Sequence, residues 1–433
     1  MRTSRLLSVL SLALVFSIGS VCAQNSPLPE TKPEMAGFSV ERLKLFEQGM
    51  QAVVDQKQLA GMVTMVARHG KIVDQKTYGV QDLATAKPMQ KDTIFRIYSM
   101  TKPITGVAMM ILYEEGKWNP KDPIAKYIPE FANLKVYAGM DGDGKIRLEA
   151  PAHAPTMGEL MSHTAGFTYG VFGNTPVDKM YQASNPLQSG SLKEFIDKLA
   201  GLPLLYQPGE AWVYSVSVDV QGYLVEKLSG KPFPEFLRER IFAPLAMRDT
   251  GFFVPENKLA RLATIYTVDP KNPGLTAMPR DPNVSKAPGL PSGGGGLYST
   301  AGDYLRFAQM LLNGGTLDGV RILSPSTVEL MRSNHLPQNL MTGKFGIGFY
   351  YMQPGLGFGY DCAVFEDPAR AGSTVGKGSY LWDGVAGTWF WIDPSNDVVF
   401  VGMIQRMMTA GVPPNMEDLS RALIYQALVD PKK

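Results

Sequence analysis

Ser99 and Lys102 stand three residues apart in Ser99-Met100-Thr101-Lys102, and Pro103 follows at once. Apolar residues then recur at Ile104, Val107, Ala108, Ile111 and Leu112, a spacing that buries one stripe of a helix and puts the tetrapeptide in its first turn. Proline suits that place, because its missing N–H falls among donors with no intrahelical partner. Residues three apart share a helix face, so the Ser99 hydroxyl and the Lys102 amine can meet over the N-terminus. A hydroxyl alone is a weak nucleophile. A neutral amine beside it can accept its proton, and a helix N-terminus favours the negative charge that develops there. This is a reaction centre in outline. The bare Ser-x-x-Lys pattern arises by chance in a chain of 433 residues, but it occurs once here and heads a buried helix.

The elements that must position this pair follow from periodicity. Ser39 is a plausible N-cap for an amphipathic helix with Leu43, Phe46, Met50, Val53 and Val54 on one face. Residues 61–68 and 71–80 are rich in β-formers and separated by His69-Gly70, which predicts a hairpin with His69 as a turn residue. Asp141-Gly142-Asp143-Gly144 has the look of a calcium loop, but Lys145, Ile146 and Ala152 occupy positions that need a ligand, a glycine and a glutamate. A tight turn between strands 136–140 and 145–150 explains it better. Thr156-Met157-Gly158-Glu159 is a capping box that opens a short helix into Ser162-His163-Thr164-Ala165-Gly166. Helices are expected over 192–200, 218–228 and 233–241, so the middle of the chain reads as a helical insertion. Gly293 to Gly296 lack the Gly-Lys-Ser/Thr ending of a phosphate loop, and imply backbone flexibility or close approach to a ligand. Thr300 begins a helix that Gly314 ends; strands are expected over 345–352, 388–393 and 398–405, and a helix over 416–429.

At the start of the chain, Arg2 and Arg5 precede an apolar run from Leu6 to Val21, and Val21-Cys22-Ala23 supplies small residues before Gln24. This pattern predicts a secretory signal peptide over 1–23 cut after Ala23, a linker over 24–36, and a periplasmic or secreted protein. The run is too short for a membrane span, and Val21 stands where lipidation at Cys22 needs a smaller residue. Removing the leader takes two of the 42 basic residues and none of the 40 acidic ones, leaving a neutral chain. Neutrality argues against a nucleic-acid partner, which needs a clustered cationic surface. Cys362 then stands alone, so no intrachain disulfide forms and stability rests on the core. Four scattered histidines offer no metal site, and no cofactor is expected.

Two further motifs give Ser99 and Lys102 company. Tyr214-Ser215-Val216 opens a helical segment, and Trp382-Asp383-Gly384-Val385 precedes a late strand. Ser-x-x-Lys, then Tyr-x-x, then a motif ending in Gly before a late strand resembles the serine β-lactamase and penicillin-binding-protein superfamily, and within it the class C β-lactamase-related carboxylesterases, also called family VIII esterases. The resemblance spans nearly all of the mature chain. It implies an α+β fold with an antiparallel sheet flanked by helices, an α/β lobe from residues 37–150 and 290–433, a helical lobe over 151–289, and a site in the cleft between them. It also implies Ser99 as the acylated nucleophile, Lys102 as proton acceptor, Tyr214 as the phenol that works with the lysine, and the N–H groups of Ser99 and Val385 as the oxyanion hole.

The departures from the β-lactamase pattern concern the substrate. Val216 stands where those enzymes carry an Asn amide, and Trp382-Asp383-Gly384 stands where they carry Lys-Thr-Gly. A carboxylate substrate would lose an attractive cation and gain a repulsive anion, each worth about 1 kcal/mol in a partly dry site. A neutral ester would gain an aromatic wall from Trp382. Small-molecule carboxylic esters are therefore the expected substrates. Amide or D-amino-peptide hydrolysis, with Asp383 receiving an ammonium, and a non-catalytic penicillin-binding-like sensor are the alternatives. No Gly-x-Ser-x-Gly occurs, so His163 reads as a structural loop residue and not as part of a triad. Trp389 and Trp391 are candidates for the core, at least one of them buried there.

Overall fold

The computed structural model describes residues 28–269, 272–341, 345–347, 350–407 and 415–431; the expected signal peptide lies outside them. Helices α1 to α10 span Val40–Asp55, Thr101–Glu114, Met157–Met161, Pro176–Ser184, Leu192–Ala200, Ser217–Ser229, Phe233–Leu237, Ala301–Leu312, Pro325–Arg332 and Met416–Tyr425. The principal sheet has strands β1 Gly61–Arg68, β2 Lys71–Asp82, β3 Lys87–Pro88, β4 Leu356–Phe358, β5 Ala363–Phe365, β6 Tyr380–Asp383, β7 Trp389–Asp393 and β8 Val398–Met403. These are ordered β4-β5-β6-β7-β8-β1-β2-β3, and every neighbouring pair is antiparallel. The fold is thus α+β, an antiparallel sheet flanked by helices.

Local sequence accounts for the edges of these elements. His69 and Gly70 both adopt positive φ, 53° and 69°, the twist that a two-residue hairpin needs, and Arg68 pairs with Lys71 across it. Ser39 accepts a hydrogen bond from the Arg42 N–H, Thr300 from that of Asp303, and Thr156 and Glu159 form both arms of the capping box. The Asp141–Lys145 turn closes a ribbon, as expected. Expected helix 233–241 is instead one α turn, Phe233–Leu237, continuing as a π turn over Arg238–Phe242. Expected strand 345–352 is a ribbon of Phe345–Ile347 and Tyr350–Met352; residues 348 and 349 lie outside the described set. Residues 28–36, in the stretch expected as a linker, pack on the sheet: Leu28 is buried, and Thr31 and Pro29 exchange backbone hydrogen bonds with Ile72.

All eight residues of β1, all five of β7 and all six of β8 are buried, because helices cover both faces of the sheet. On one face Phe46 of α1 meets Phe400 edge-on, Trp391 stacks on Phe400 at 4.1 Å, and the Trp389 indole N–H donates to Ser420 of α10. On the other, α8 lies across β1, β7 and β8, with Tyr304 against Phe390. Each such aromatic removes enough apolar surface from water to contribute about 2–3 kcal/mol. Both Trp389 and Trp391 belong to this core. Helix α6 joins α2 to the middle segment by packing against α2, α3, α5 and α7.

Candidate active site

Ser99 lies in a 3-10 turn, Tyr98–Met100, that runs into α2. Tyr98 takes a left-handed φ of 43°, a conformation that costs a non-glycine residue about 1–3 kcal/mol and persists only where its surroundings hold it. They do so here. The Arg96 guanidinium sits 5.2 Å from the Tyr98 ring and 4.6 Å from that of Tyr298, and donates to the Gly295 carbonyl at 3.1 Å. Gln405 bonds both the N–H and the C=O of Arg96. The Met100 carbonyl takes the Tyr304 hydroxyl at 2.9 Å.

The three expected side chains meet at one oxygen. Ser99 Oγ is 3.1 Å from Lys102 Nζ and 2.7 Å from the Tyr214 hydroxyl. Lys102 is completely buried, and its Nζ also donates to the Gly294 carbonyl at 2.7 Å. Burial lowers its pKa to about 8, against the opposing pull of Asp219, Asp361 and Asp383. Such an amine is neutral often enough near neutral pH to accept a proton. Burial pushes the Tyr214 phenol well above its ordinary value; the hydrogen bond with Ser99 and the Trp382 indole N–H oppose this, and the Asp383 charge adds to it. The phenol therefore keeps its proton and can donate it to an oxygen at the Ser99 position.

The third motif sits at the end of β6, which packs against the Tyr98–Met100 turn. Trp382 is buried, its ring 5.5 Å from Tyr214 and 5.4 Å from Phe358. The turn after β6 carries half-buried Val385 and closes through Gly384 and Gly387, while the Thr388 hydroxyl donates to the Ile97 carbonyl at 3.2 Å. Half-buried Asp383 lines a cavity of about 390 Å³ together with Arg421, Glu417 and Asp418. Val216 is fully buried and offers no polar group.

His163 is buried at φ 59°, ringed by Trp212, Tyr214 and Phe358, with Nδ1 3.0 Å from the Ser215 hydroxyl. Burial holds its pKa well below the usual value, so the imidazole is neutral and packs behind Tyr214. The glycine run is the clearest correction. It is tied at every residue from Ser292 to Leu297 and not loose: Gly293 O accepts from Thr105, Gly294 N–H donates to Asp219, and Leu297 N–H donates to Thr101. A β-carbon on Gly293 would lie 2.4 Å from the Val218 carbonyl, and one on Gly294 2.7 Å from Asp219 Oδ2, so glycine here serves close approach of α6 and not mobility. Asp219, Tyr169, whose ring is 5.4 Å from Lys102 Nζ, and Asp361 were not singled out by sequence. Only the run of glycines hinted that something approaches there.

A serine set between a buried lysine and a tyrosine, at the margin of an antiparallel sheet flanked by helices, is an arrangement in which an amine can take a hydroxyl's proton. The sequence profile of the beta-lactamase family matches residues 44–423, and the chain belongs to that family. It is 38% identical to Protein Rv1367c of Mycobacterium tuberculosis over 364 residues, 83% of this chain and 89% of that one. It is 31% identical over 382 residues to Esterase EstB of Burkholderia gladioli, 82% and 88% of the two chains. Among solved structures it is similar to EstCE1, a hydrolase with promiscuous acyltransferase activity, with TM-score 0.75 and 27% identity, covering 89% of this chain and 100% of that one. Among the described residues no helix is long and apolar enough to cross a membrane.

Proposed function

We propose that the protein hydrolyses neutral carboxylic esters through an acyl-enzyme on Ser99. Lys102 takes the Ser99 proton as Oγ attacks the carbonyl carbon, and the N–H groups of Ser99 and Val385 receive the oxyanion. Tyr214 gives its proton to the departing alkoxide and recovers one from Lys102. Water then attacks the acyl carbon by the reverse path, losing its proton to the same pair. The observation that carries this reading is the placement of Ser99 Oγ within hydrogen-bond reach of both Lys102 Nζ and the Tyr214 hydroxyl.

Trp382 and Val216 support the neutral substrate, since neither supplies the cation or the amide that a β-lactam would use, and the relationship to Esterase EstB agrees. The Arg2 and Arg5 leader supports work outside the cytoplasm. The test is a comparison of short-chain p-nitrophenyl esters with a chromogenic cephalosporin. We expect kcat/KM to favour the ester by at least about 100-fold, a difference of about 2.7 kcal/mol in transition-state stabilisation. Comparable efficiency on the two would defeat the account of the third motif.

A further inference from the structure

Asp219 lies on α6, one turn beyond Tyr214, and is fully buried. Its Oδ1 accepts the Ser292 hydroxyl at 2.5 Å and the Gly294 N–H at 3.0 Å. Gly294 in turn presents its carbonyl to Lys102 Nζ at 2.7 Å, and Lys102 reaches Ser99 Oγ at 3.1 Å. A short path of hydrogen bonds therefore runs from the carboxyl through one residue, Gly294, entering at its N–H and leaving at its carbonyl, to the amine and the hydroxyl.

We propose that Asp219 is a positioning residue for Lys102: it holds Gly294 by its N–H, so that the Gly294 carbonyl occupies one N–H of the amine and the amine's lone pair turns toward Ser99. The inference rests on the reading of Lys102 as the proton acceptor. A neutral amine has two N–H groups and one lone pair, so a fixed acceptor on one side decides where the lone pair points. A freely rotating amine would spend part of its time aimed elsewhere, and misplacement on this scale slows a proton transfer severalfold or more.

Asp219 also acts by charge. The groups that face Lys102 are Asp219 from α6, Asp361 from the turn between β4 and β5, Asp383 from β6, the phenols Tyr169 and Tyr214, and His163. His163 is neutral and burial holds both phenols protonated; burial also raises the Asp361 carboxyl well above its ordinary value and the Asp219 carboxyl above it, while at Asp219 the Ser292 hydroxyl, Lys102 and the Gly294 N–H oppose this and favour the carboxylate. Each carboxylate favours the charged lysine, so removing one lowers the pH at which Lys102 becomes a base.

Three variants and pH profiles of kcat and KM on a p-nitrophenyl ester test this. Asp219→Ala removes both effects: plateau kcat is expected to fall at least about 10-fold with KM within about 3-fold. Asp219→Asn keeps the acceptor oxygen and loses the charge, so the midpoint of the rise in rate with pH is expected to drop by at least about half a unit. Gly294→Ala crowds the contact with Asp219 but keeps the charge, and is expected to lower plateau kcat while leaving the midpoint in place. A plateau for Asp219→Ala within about 3-fold of wild type overturns the positioning proposal, and an unmoved midpoint in Asp219→Asn overturns the charge effect. Should the Asp219 variants fail to fold, Gly294→Ala decides it: a lower plateau with the same midpoint supports positioning, and a wild-type plateau refutes it. Failure of the parent reading looks different. It appears in the wild-type enzyme as a rate that does not titrate, or that survives Lys102→Ala.

Discussion

Lys102 is subject to two opposing influences, and the balance sets when it can work. Burial alone would drive its pKa far down, while the surrounding carboxyls push it back, and about 8 is the outcome. In the proposed mechanism the neutral amine is the base, so kcat/KM should climb with pH through a midpoint near 8 and level off above it. A pH-rate profile on a p-nitrophenyl ester checks this, and a flat profile from pH 6 to 9 would count against it. Lys102→Arg keeps the charge but cannot release a proton, so it should lose at least about 1000-fold in kcat, a larger loss than removal of a surface charge could cause. Tyr214→Phe removes only the phenolic oxygen and should be severely impaired on the same assay. Ser99, Lys102 and Tyr214 could be picked out of the sequence because their spacing and order carry the pattern. Asp219 could not, because an aspartate in the first turn of a helix is ordinary, and its partner Gly294 is 75 positions away.

At the scale of elements, the strands and caps were the legible part. The hairpin at His69-Gly70 and the capping box at Thr156 rest on local rules and need nothing distant. Glycines were harder, because the residue type gives permission for a conformation or a contact without saying which. The run at 293–296 implied flexibility or close approach to a ligand and is a tied loop, since what it accommodates, α6 and the lysine, arrives only when the chain is folded. Gly402 in β8 is the same lesson in the core. A β-carbon there would lie 2.3 Å from the Trp389 indole, which crosses the strand at that point. Gly402→Ala should therefore cost about 2 kcal/mol or more through overpacking, read as a lower urea midpoint, while Gly70→Ala, with nothing within 4 Å of the added carbon, gains no clash and pays only for its backbone conformation.

Across the whole molecule, the sheet unites strands from residues 61–88 with strands from residues 356–403, so distant parts of the chain must be fastened together. Arg68, buried at the end of β1, is one fastener, beside the Phe38–Leu428 bridge and the β1–β8 ladder. Its guanidinium donates to the carbonyls of Ala36, Asn396, Asp430 and Pro431, joining both ends of the described chain to the β7–β8 turn. Arg68→Met would strand those acceptors and should cost about 3 kcal/mol or more in a denaturation experiment, with the chemistry at Ser99 intact below the transition. Nothing in the sequence marked Arg68, because four backbone carbonyls have no residue-type signature. The family, the α+β class and the covered sheet were legible because they depend on motif order and apolar patterning, which the chain carries along its length. The central claim is that acyl groups pass through Ser99. Its most direct test is rapid acid quench of the enzyme during turnover of a p-nitrophenyl ester, followed by intact and peptide mass measurement. The account predicts one added acyl group, on the peptide bearing Ser99, and no adduct or turnover in Ser99→Ala. An acyl group on another residue, or undiminished hydrolysis by Ser99→Ala, would contradict it.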